Sequence, residues 1–314
     1  MQIGVVESVL KILEKAGFRV TDLVETKPRC FEIIARKDDF VLLIKALYNI
    51  DSLKSDMAED MKAVAILLKA SPVVVGERFK QDYLDRGVVY NRYGISVVNT
   101  ATFYDLIVDG TPPVIYSAPG GYYVRLDSEK IREARERLGV SLGELAKELG
   151  VSRRAVKKYE EGVDTSVENA IKLEEILETN IVRAINILKS MDEEINEKRD
   201  VGLSNEESEI VDQLRYIGVK VYPIKHAPFD IISKPKNELV LTGIKQVREI
   251  EKRALVLGKV SSTLSTKAAY IVEKSVKKDI NSVVFLMREE LECVSTPKDF
   301  ISLIDEKNKS EETD

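Results

Sequence analysis

The chain has 314 residues, of which 44% are apolar, enough for two or three domains with sizeable cores. Charged residues reach 32%, but 48 Lys and Arg stand against 53 Asp and Glu for a net charge of −5. That balance excludes a histone-like coat on nucleic acid and favours local docking. No run of eighteen apolar residues offers a membrane span. The start MQIGVVESVLKIL also lacks the basic head and cleavage site of a signal peptide, so a soluble, cytoplasmic protein is expected.

From the N-terminus, Val9 to Val20 (VLKILEKAGFRV) leads into the strand-like runs Phe31–Ile34 and Phe40–Ile44. Cys30 and Cys293 each sit in an apolar strand-like run and read as buried thiols rather than a disulfide or metal pair. Asp56, Glu59 and Asp60 fall at i, i+3 and i+4 of the next helix, which reads as a solvated acidic face. Val73-Val-Val-Gly76 reads as a strand, and no phosphate-loop pattern follows it. Tyr90, Tyr93, Phe103 and Tyr104 read as core packing, with a ligand pocket as the alternative. Continuous aliphatic strands separated by helices argue for an α/β sheet covered on its faces.

Gly110–Pro113 and Ala118–Gly121 punctuate the approach to a helical module, and Val114–Tyr116 with Tyr122–Leu126 read as a short hairpin. Asp127 or Ser128 starts a scaffold helix with Ile131, Ala134 and Leu138 facing inward. Ser141-Leu-Gly-Glu144 has the spacing of a capping box, and Leu145, Ala146 and Leu149 follow as an apolar helical face. Gly143 inside that helix costs about 1 kcal/mol relative to Ala, which a close approach to another backbone would explain. Gly150 suits the positive φ of a sharp helix exit, and Ser152 can cap a second helix. In that helix Val156 and Tyr159 point inward, while Arg153, Arg154, Lys157 and Lys158 share the other side. Ser128 to Gly162 holds 9 Lys and Arg against 7 Asp and Glu, so the positive charge is concentrated at 153–158 rather than spread over the module. Ser166 starts a further helix carrying Val167, Ala170, Ile171, Leu173 and Leu177. Ile181, Ala184, Ile185 and Leu188 suggest one more amphipathic helix.

Ala146, Gly150, Val156 and the ending Tyr159-Glu-Glu-Gly162 resemble the lambda repressor and Cro family of helix-turn-helix domains over about sixty residues. The resemblance implies that Ser152, Arg153, Arg154, Lys157 and Lys158 belong to the recognition helix. Arg153, Arg154 and Lys157 would read base edges in the major groove. Ser152, Lys158 and the helix N-termini, Ser141 included, would hold phosphates. Leu142 stands where the family often has a Gln that supports a phosphate contact, so this chain departs from the pattern there.

Met191 to Ser204 is polar and charged and reads as a linker. Beyond it the opening pattern returns: Ile210–Val221 parallels Val9–Val20, with Leu214 and Gly218 matching Leu13 and Gly17. Phe229–Ile232 and Leu239–Leu241 parallel the two strands. Leu255–Gly258 parallels Val73–Gly76, and Cys293–Ile304 parallels Val97–Ile107. Each unit reads as helix, strand, strand, helix, strand, strand, helix. His226, the only histidine, reads as a loop or core residue rather than a base.

This order of elements resembles the restriction-endonuclease-like fold, as in archaeal Holliday-junction resolvases. The resemblance implies a carboxylate at the end of the second strand and an acid-x-Lys on the third, together holding a divalent metal. Glu32 and Asp230 occupy the first position. Lys45 stands where the second acid belongs, Leu47 where the lysine belongs, and Thr242, Gly243 and Lys245 supply no second carboxylate. The nuclease centre is therefore expected to be absent, and no catalytic residue, cofactor or resident metal is assigned.

The expected protein is multidomain, α/β plus all-α. Residues 1–120 and 205–314 are similar inactive nuclease-like units, 121–190 is the DNA-binding domain and 191–204 is a charged linker. The layout, including APGGYYVRLD before the helices, is similar to an archaeal family of helix-turn-helix regulators with flanking nuclease-like domains. A homodimer on double-stranded DNA is implied, two copies about 34 Å apart reading an inverted repeat, with a small-molecule effector as an open partner. A metal-dependent nuclease guided by the same helix, and a scaffold that binds no DNA, stand as alternatives.

Overall fold

A computed structural model of the chain describes residues 2–23, 29–191, 195, 201–245, 250–273, 280 and 283–311. The N-terminal elements are α1 (Gln2–Lys15), β1 (Arg19–Asp22), β2 (Ile33–Lys37), β3 (Phe40–Asn49), α2 (Ser55–Leu68), β4 (Ser71–Phe79), β5 (Asp82–Tyr83), β6 (Val88–Arg92), β7 (Ile95–Val98) and α3 (Thr100–Ile107). Next come β8 (Ile115–Ala118), β9 (Gly121–Leu126), α4 (Ser128–Arg137), α5 (Leu142–Leu149), α6 (Arg153–Glu160), β10 (Thr165–Ser166), α7 (Val167–Leu177) and β11 (Val182–Arg183). The remainder is α8 (Asn205–Tyr216), β12 (Lys220–Pro223), β13 (Ile231–Lys234), β14 (Val240–Gly243), α9 (Ile250–Leu264), β15 (Lys267–Val272), β16 (Val284–Met287), α10 (Arg288–Glu292) and α11 (Pro297–Glu311).

The chain separates into two compact units, one of Met1–Ile12, Leu47–Ser52 and Val73–Lys189, the other of Leu13–Ala46, Leu53–Pro72 and Ser190–Asp314. In the first, β4 runs parallel to β7 and β7 antiparallel to β6. Gly76 on β4 has no room for a side chain, because a Cβ there would run into Ile50 and lie 3.1 Å from the Leu47 carbonyl. Close packing, not a phosphate loop, explains that glycine. The expected hairpin forms as β8 and β9, with Gly120 and Gly121 at φ 100° and 140° in its turn. It joins the sheet directly: β8 lies parallel to β6, placing Ile115 opposite Val88 and Tyr116 opposite Val89. On its other side β9 pairs with both β10 and β11, Val124 facing Thr165 and Leu126 facing Val182. Strands bracket the helical module at both ends and hydrogen-bond it into this sheet.

In the second unit β1, β2 and β3 form an antiparallel meander, with Ile34 opposite Thr21 on one side and Leu43 on the other. A five-stranded sheet runs β12-β13-β14-β15-β16, antiparallel up to β14 and parallel thereafter. Ile210, Leu214, Val221, Ile231, Ile271, Leu286, Phe300 and neighbours fill its core. Helix α9 packs against β1 and β2. There the Thr21 and Thr263 hydroxyls are 2.5 Å apart, and Arg36 donates from Nη1 to the Leu264 carbonyl at 2.5 Å.

Several sequence expectations are corrected. A strand beyond those anticipated, β1 in one stretch and β12 in the other, follows the first helix of each. Leu255–Gly258 is helical, inside α9: Leu257 and Gly258 are buried while Leu255 is 51% exposed, the mark of a one-sided helix. By order in the chain, β15 after α9 is what corresponds to β4 after α2. Cys293–Thr296 is not a strand, although α11 after it does parallel α3 after β7. Residues 181–188 are not a helix. Ile181, Ile185 and Ile187 are buried at even spacing, as in extended chain, and Ile185 N–H donates to the Pro113 carbonyl at 2.8 Å. Leu138 caps the end of α4 and is 40% exposed, and Ile171 lies on the outer side of α7 at 51%. Cys30 is buried in the approach to β2, whereas Cys293 is exposed after α10. Asp60 is buried rather than solvated, and of the four aromatics only Phe103 is fully buried. Most of the linker, 192–194 and 196–200, lies outside the described residues.

Candidate nucleic-acid interface

The capping box forms as spaced: the Glu144 backbone N–H donates to Ser141 Oγ at 3.2 Å, and the Ser141 backbone N–H to Glu144 Oε2 at 2.8 Å. Those bonds hold the Glu144 carboxyl below its ordinary range. Helix α5 exits through Gly150 at φ 71°, whose N–H reaches back to carbonyls of the last turn. Ser152 then caps α6, its Oγ accepting from the Ala155 N–H at 3.1 Å. Leu145, Ala146 and Leu149 of α5 share one core with Val156 and Tyr159 of α6, Ile131 and Ala134 of α4, and Ala170, Leu173 and Leu177 of α7. Val124 and Leu126 of β9 belong to the same core. The small Ala146 lets α6 cross α5 closely.

With that face buried, helical geometry turns Ser152, Arg153, Arg154, Lys157 and Lys158 outward, and all five are exposed. Lys157 lies 3.9 Å from Glu161 in a solvated i, i+4 pair. Among the described residues Arg153, Arg154 and Lys158 have no carboxylate partner. Ser141 is exposed as well, one helix away at the start of α5. Gly143 meets no nearby backbone; the nearest atom to an added Cβ is Ser141 Oγ at 3.8 Å, so the expected close approach within the chain does not exist.

Two contacts that fix this surface were not legible in the sequence. Arg135 of α4 clasps Glu160 at the end of α6, Nε to Oε1 at 2.5 Å, with both side chains largely buried, and also donates to the Val140 carbonyl at 3.1 Å. Tyr116 of β8 donates to Asp164, a few residues after α6, at 2.6 Å. Burial first, then that bond, pushes the Tyr116 hydroxyl up to about 12. Neither partner shares a periodicity or a short-range spacing with the other, so no sequence signal points to the pairs.

The nuclease-like position has its own geometry. Glu32 is buried directly before β2; Oε1 faces Lys45 Nζ at 2.8 Å and Arg29 Nε at 3.1 Å, and Oε2 accepts from the Ala46 N–H at 2.8 Å. Asp230, directly before β13, repeats this. Its Oδ1 faces Arg253 at 2.7 Å and Lys245 at 3.1 Å, and its Oδ2 accepts from the Ile244 N–H at 2.8 Å. The backbone follows suit, Glu32 N–H bonding the Ile44 carbonyl and Asp230 N–H the Thr242 carbonyl, both at 2.9 Å. The magnesium that the fold implies needs several oxygen ligands. Here each lone carboxylate is already taken by two cations and a backbone N–H, so these residues do not fit the metal. Among the described residues no group of three or more His, Cys, Asp or Glu is arranged to hold an ion. His226, read from sequence as a loop or core residue, is buried; its Nδ1 lies 2.7 Å from Asp60 Oδ2, which also accepts its backbone N–H at 2.9 Å.

A capped helix pair with one cationic outer face, hydrogen-bonded into an α/β sheet, defines a helix-turn-helix protein. Residues 131–182 match the helix-turn-helix family and residues 2–113 the PD-(D/E)XK superfamily domain. An Archaeoglobus fulgidus protein is 59% identical over 311 residues, spanning 99% of this chain and 100% of that one. Proteins of Haloarcula marismortui, 37% identical with 98% of each chain covered, and Methanococcoides burtonii, 35% identical with 97% of each covered, are similar throughout. All three are provisionally named HTH-type transcriptional regulatory proteins. The chain belongs to this archaeal family of HTH-type transcriptional regulators. No solved structure matches it. No described helix is long and apolar enough to cross a membrane.

Proposed function

We propose that the chain binds double-stranded DNA sequence-specifically and regulates transcription, as a homodimer whose two α6 helices enter successive major grooves of an inverted repeat. Arg153, Arg154 and Lys157 read base edges; Ser152, Lys158 and the start of α5 at Ser141 hold phosphates. One observation carries this reading. Arg153 and Arg154 occupy the first turn of α6, where the helix dipole disfavours cations, yet both are exposed and without a carboxylate partner. Stability does not reward that placement, and a polyanionic partner does.

The helical module lies between two similar α/β stretches, 1–120 and 205–314, that have lost nuclease chemistry. Support comes from the repeated surroundings of Glu32 and Asp230, where a lysine and an arginine stand in for metal. These stretches serve assembly or the sensing of an effector. Selection of bound sequences from random duplex DNA at near-physiological salt tests the proposal. A recovered palindrome with half-sites about one helical turn apart is the expected result, and recovery of unrelated sequences contradicts it.

A further inference from the structure

Two hairpin tips of the first unit display side chains that the fold does not bury. The β4–β5 turn holds Lys80 at φ 55°, and the β6–β7 turn holds Tyr93 at φ 52° ahead of Gly94 at φ 82°. Glycine or asparagine meets such backbone with less strain. Lys80 is nonetheless exposed and Tyr93 is 42% exposed, so burial does not compensate either residue. Strain kept at an exposed position points to use.

Asp51 ties the tips together. It accepts the Lys80 backbone N–H at 2.8 Å and lies 3.5 Å from Arg92, whose guanidinium is 5.0 Å from the Tyr93 ring. On the other tip the Arg78 guanidinium lies 4.1 Å from the ring centroid of Tyr83 and 5.8 Å from that of Tyr48. Tyr83 is 62% exposed. Neither Arg78 Nε nor Arg92 Nε has an acceptor among the described residues. Acidic groups lie among these cations: Glu77 accepts from Thr100, Asp51 is bound as described, and Asp82 acts on Arg78. The surface therefore works at contact range, not as a long-range basic field.

We propose that these tips form a second nucleic-acid contact, separate from α6, which takes a sugar–phosphate strand. Arg78, Lys80 and Arg92 meet phosphates, and the exposed Tyr83 and Tyr93, each with a guanidinium already against its ring, meet sugars or bases, as aromatic and arginine platforms do on nucleic acid strands. Planar guanidinium–tyrosine pairs suit flat bases better than they suit an acidic peptide. The same sheet that carries the tips hydrogen-bonds the helical module through β6, β8 and β9. The contact extends the DNA-binding reading above.

Its test is separable from that reading. In the full-length chain, Arg153, Arg154, Lys157 and Lys158 are all changed to Ala, which silences α6. Binding of labelled random-sequence 20-mers, duplex and single-stranded, is then titrated against salt. The silenced chain is expected to retain salt-dependent binding. Arg78→Ala with Lys80→Ala and Arg92→Ala should weaken it roughly tenfold or more, lowering the salt slope by about 0.9 per lost duplex phosphate or about 0.7 per single-strand phosphate. The stronger arm identifies the source of the strand. Tyr93→Asn, which suits its turn, should also weaken binding while the chain melts normally. No binding by the silenced chain at low salt, binding indifferent to these changes, or tighter capture of poly-glutamate than of either DNA overturns the proposal. If α6-dependent selection still succeeds, the primary reading stands without it.

Discussion

Lys45 Nζ lies 2.8 Å from Glu32 Oε1, and both side chains are almost completely buried. In a metal-dependent nuclease a second acid would share the cation with Glu32; here the ammonium is itself the counter-ion. Removing one member of a buried pair leaves the other charge stranded, at a cost of about 3–5 kcal/mol. Arg29 remains beside Glu32, so Lys45→Met is expected at the lower end of that range in chemical denaturation. The double change Glu32→Leu with Lys45→Met removes the stranded charge but leaves Arg29 and the Ala46 N–H without their acceptor, so it should recover part of the loss and not all of it. A double variant as unstable as the single would show that the pair is not what holds this site.

Asp60 accepts two bonds from His226, 166 residues later in sequence, one from its backbone N–H and one at its ring. Asp60→Ala strands a buried backbone N–H and a ring nitrogen, and should cost about 2–4 kcal/mol in unfolding free energy. His226→Ala leaves the backbone bond in place and should cost less. Equal losses would mean that the ring bond carries the whole contact.

Tyr116 fastens the hairpin to Asp164, just beyond α6. Burial and that bond favour the neutral phenol, raising its pKa from 10.0 to about 12. A group raised in this way stabilises the fold fully below its unfolded value and loses the contribution as pH climbs toward the folded one. Wild type should therefore surrender stability relative to Tyr116→Phe between pH 10 and about 12. Below that window the variant should be weaker by about 1 kcal/mol, a typical hydrogen bond. Parallel melting curves of the two proteins across the window would refute the link.

Arg153→Glu with Arg154→Glu should affect stability and DNA binding in opposite directions. Acids in the first turn of α6 complement the helix dipole, each gaining about 0.3–1 kcal/mol, so the melting temperature should rise. Affinity for duplex DNA should collapse. If both quantities fall together, these arginines have a structural role that the fold does not reveal.

The helix-turn-helix was legible because its signals are local. Ser141 with Glu144, Gly150 and Ser152 fix where helices start and stop, and Val156 with Tyr159 fixes which side of α6 is left to solvent. Leu138 and Ile171 misled because helical spacing marks a stripe but not its edges, and both sit at an edge. Residues 181–188 misled for the opposite reason: a strand of two residues held by β9 leaves a pattern too short to separate from a helical one. The carboxylates Glu32 and Asp230, and the lack of a second acid, were visible through the resemblance to the restriction-endonuclease-like fold. Their cationic partners Arg29 and Arg253 were not, and neither was the Asp60–His226 bond, because long-range pairing leaves no periodicity. Leu255–Gly258 shows the same limit, an aliphatic run that reads as a strand until a neighbouring sheet claims one side of it.

The central claim is that the tip of α6 reads base edges. The direct measurement is the ratio of specific to non-specific affinity, at fixed salt, of wild type and of the Arg154→Ala, Lys157→Ala double variant on the sequence recovered by selection. Wild type should prefer that duplex over random DNA by at least about a thousandfold, and the variant should lose nearly all of the preference while melting as before. A variant that keeps the full preference would contradict the account.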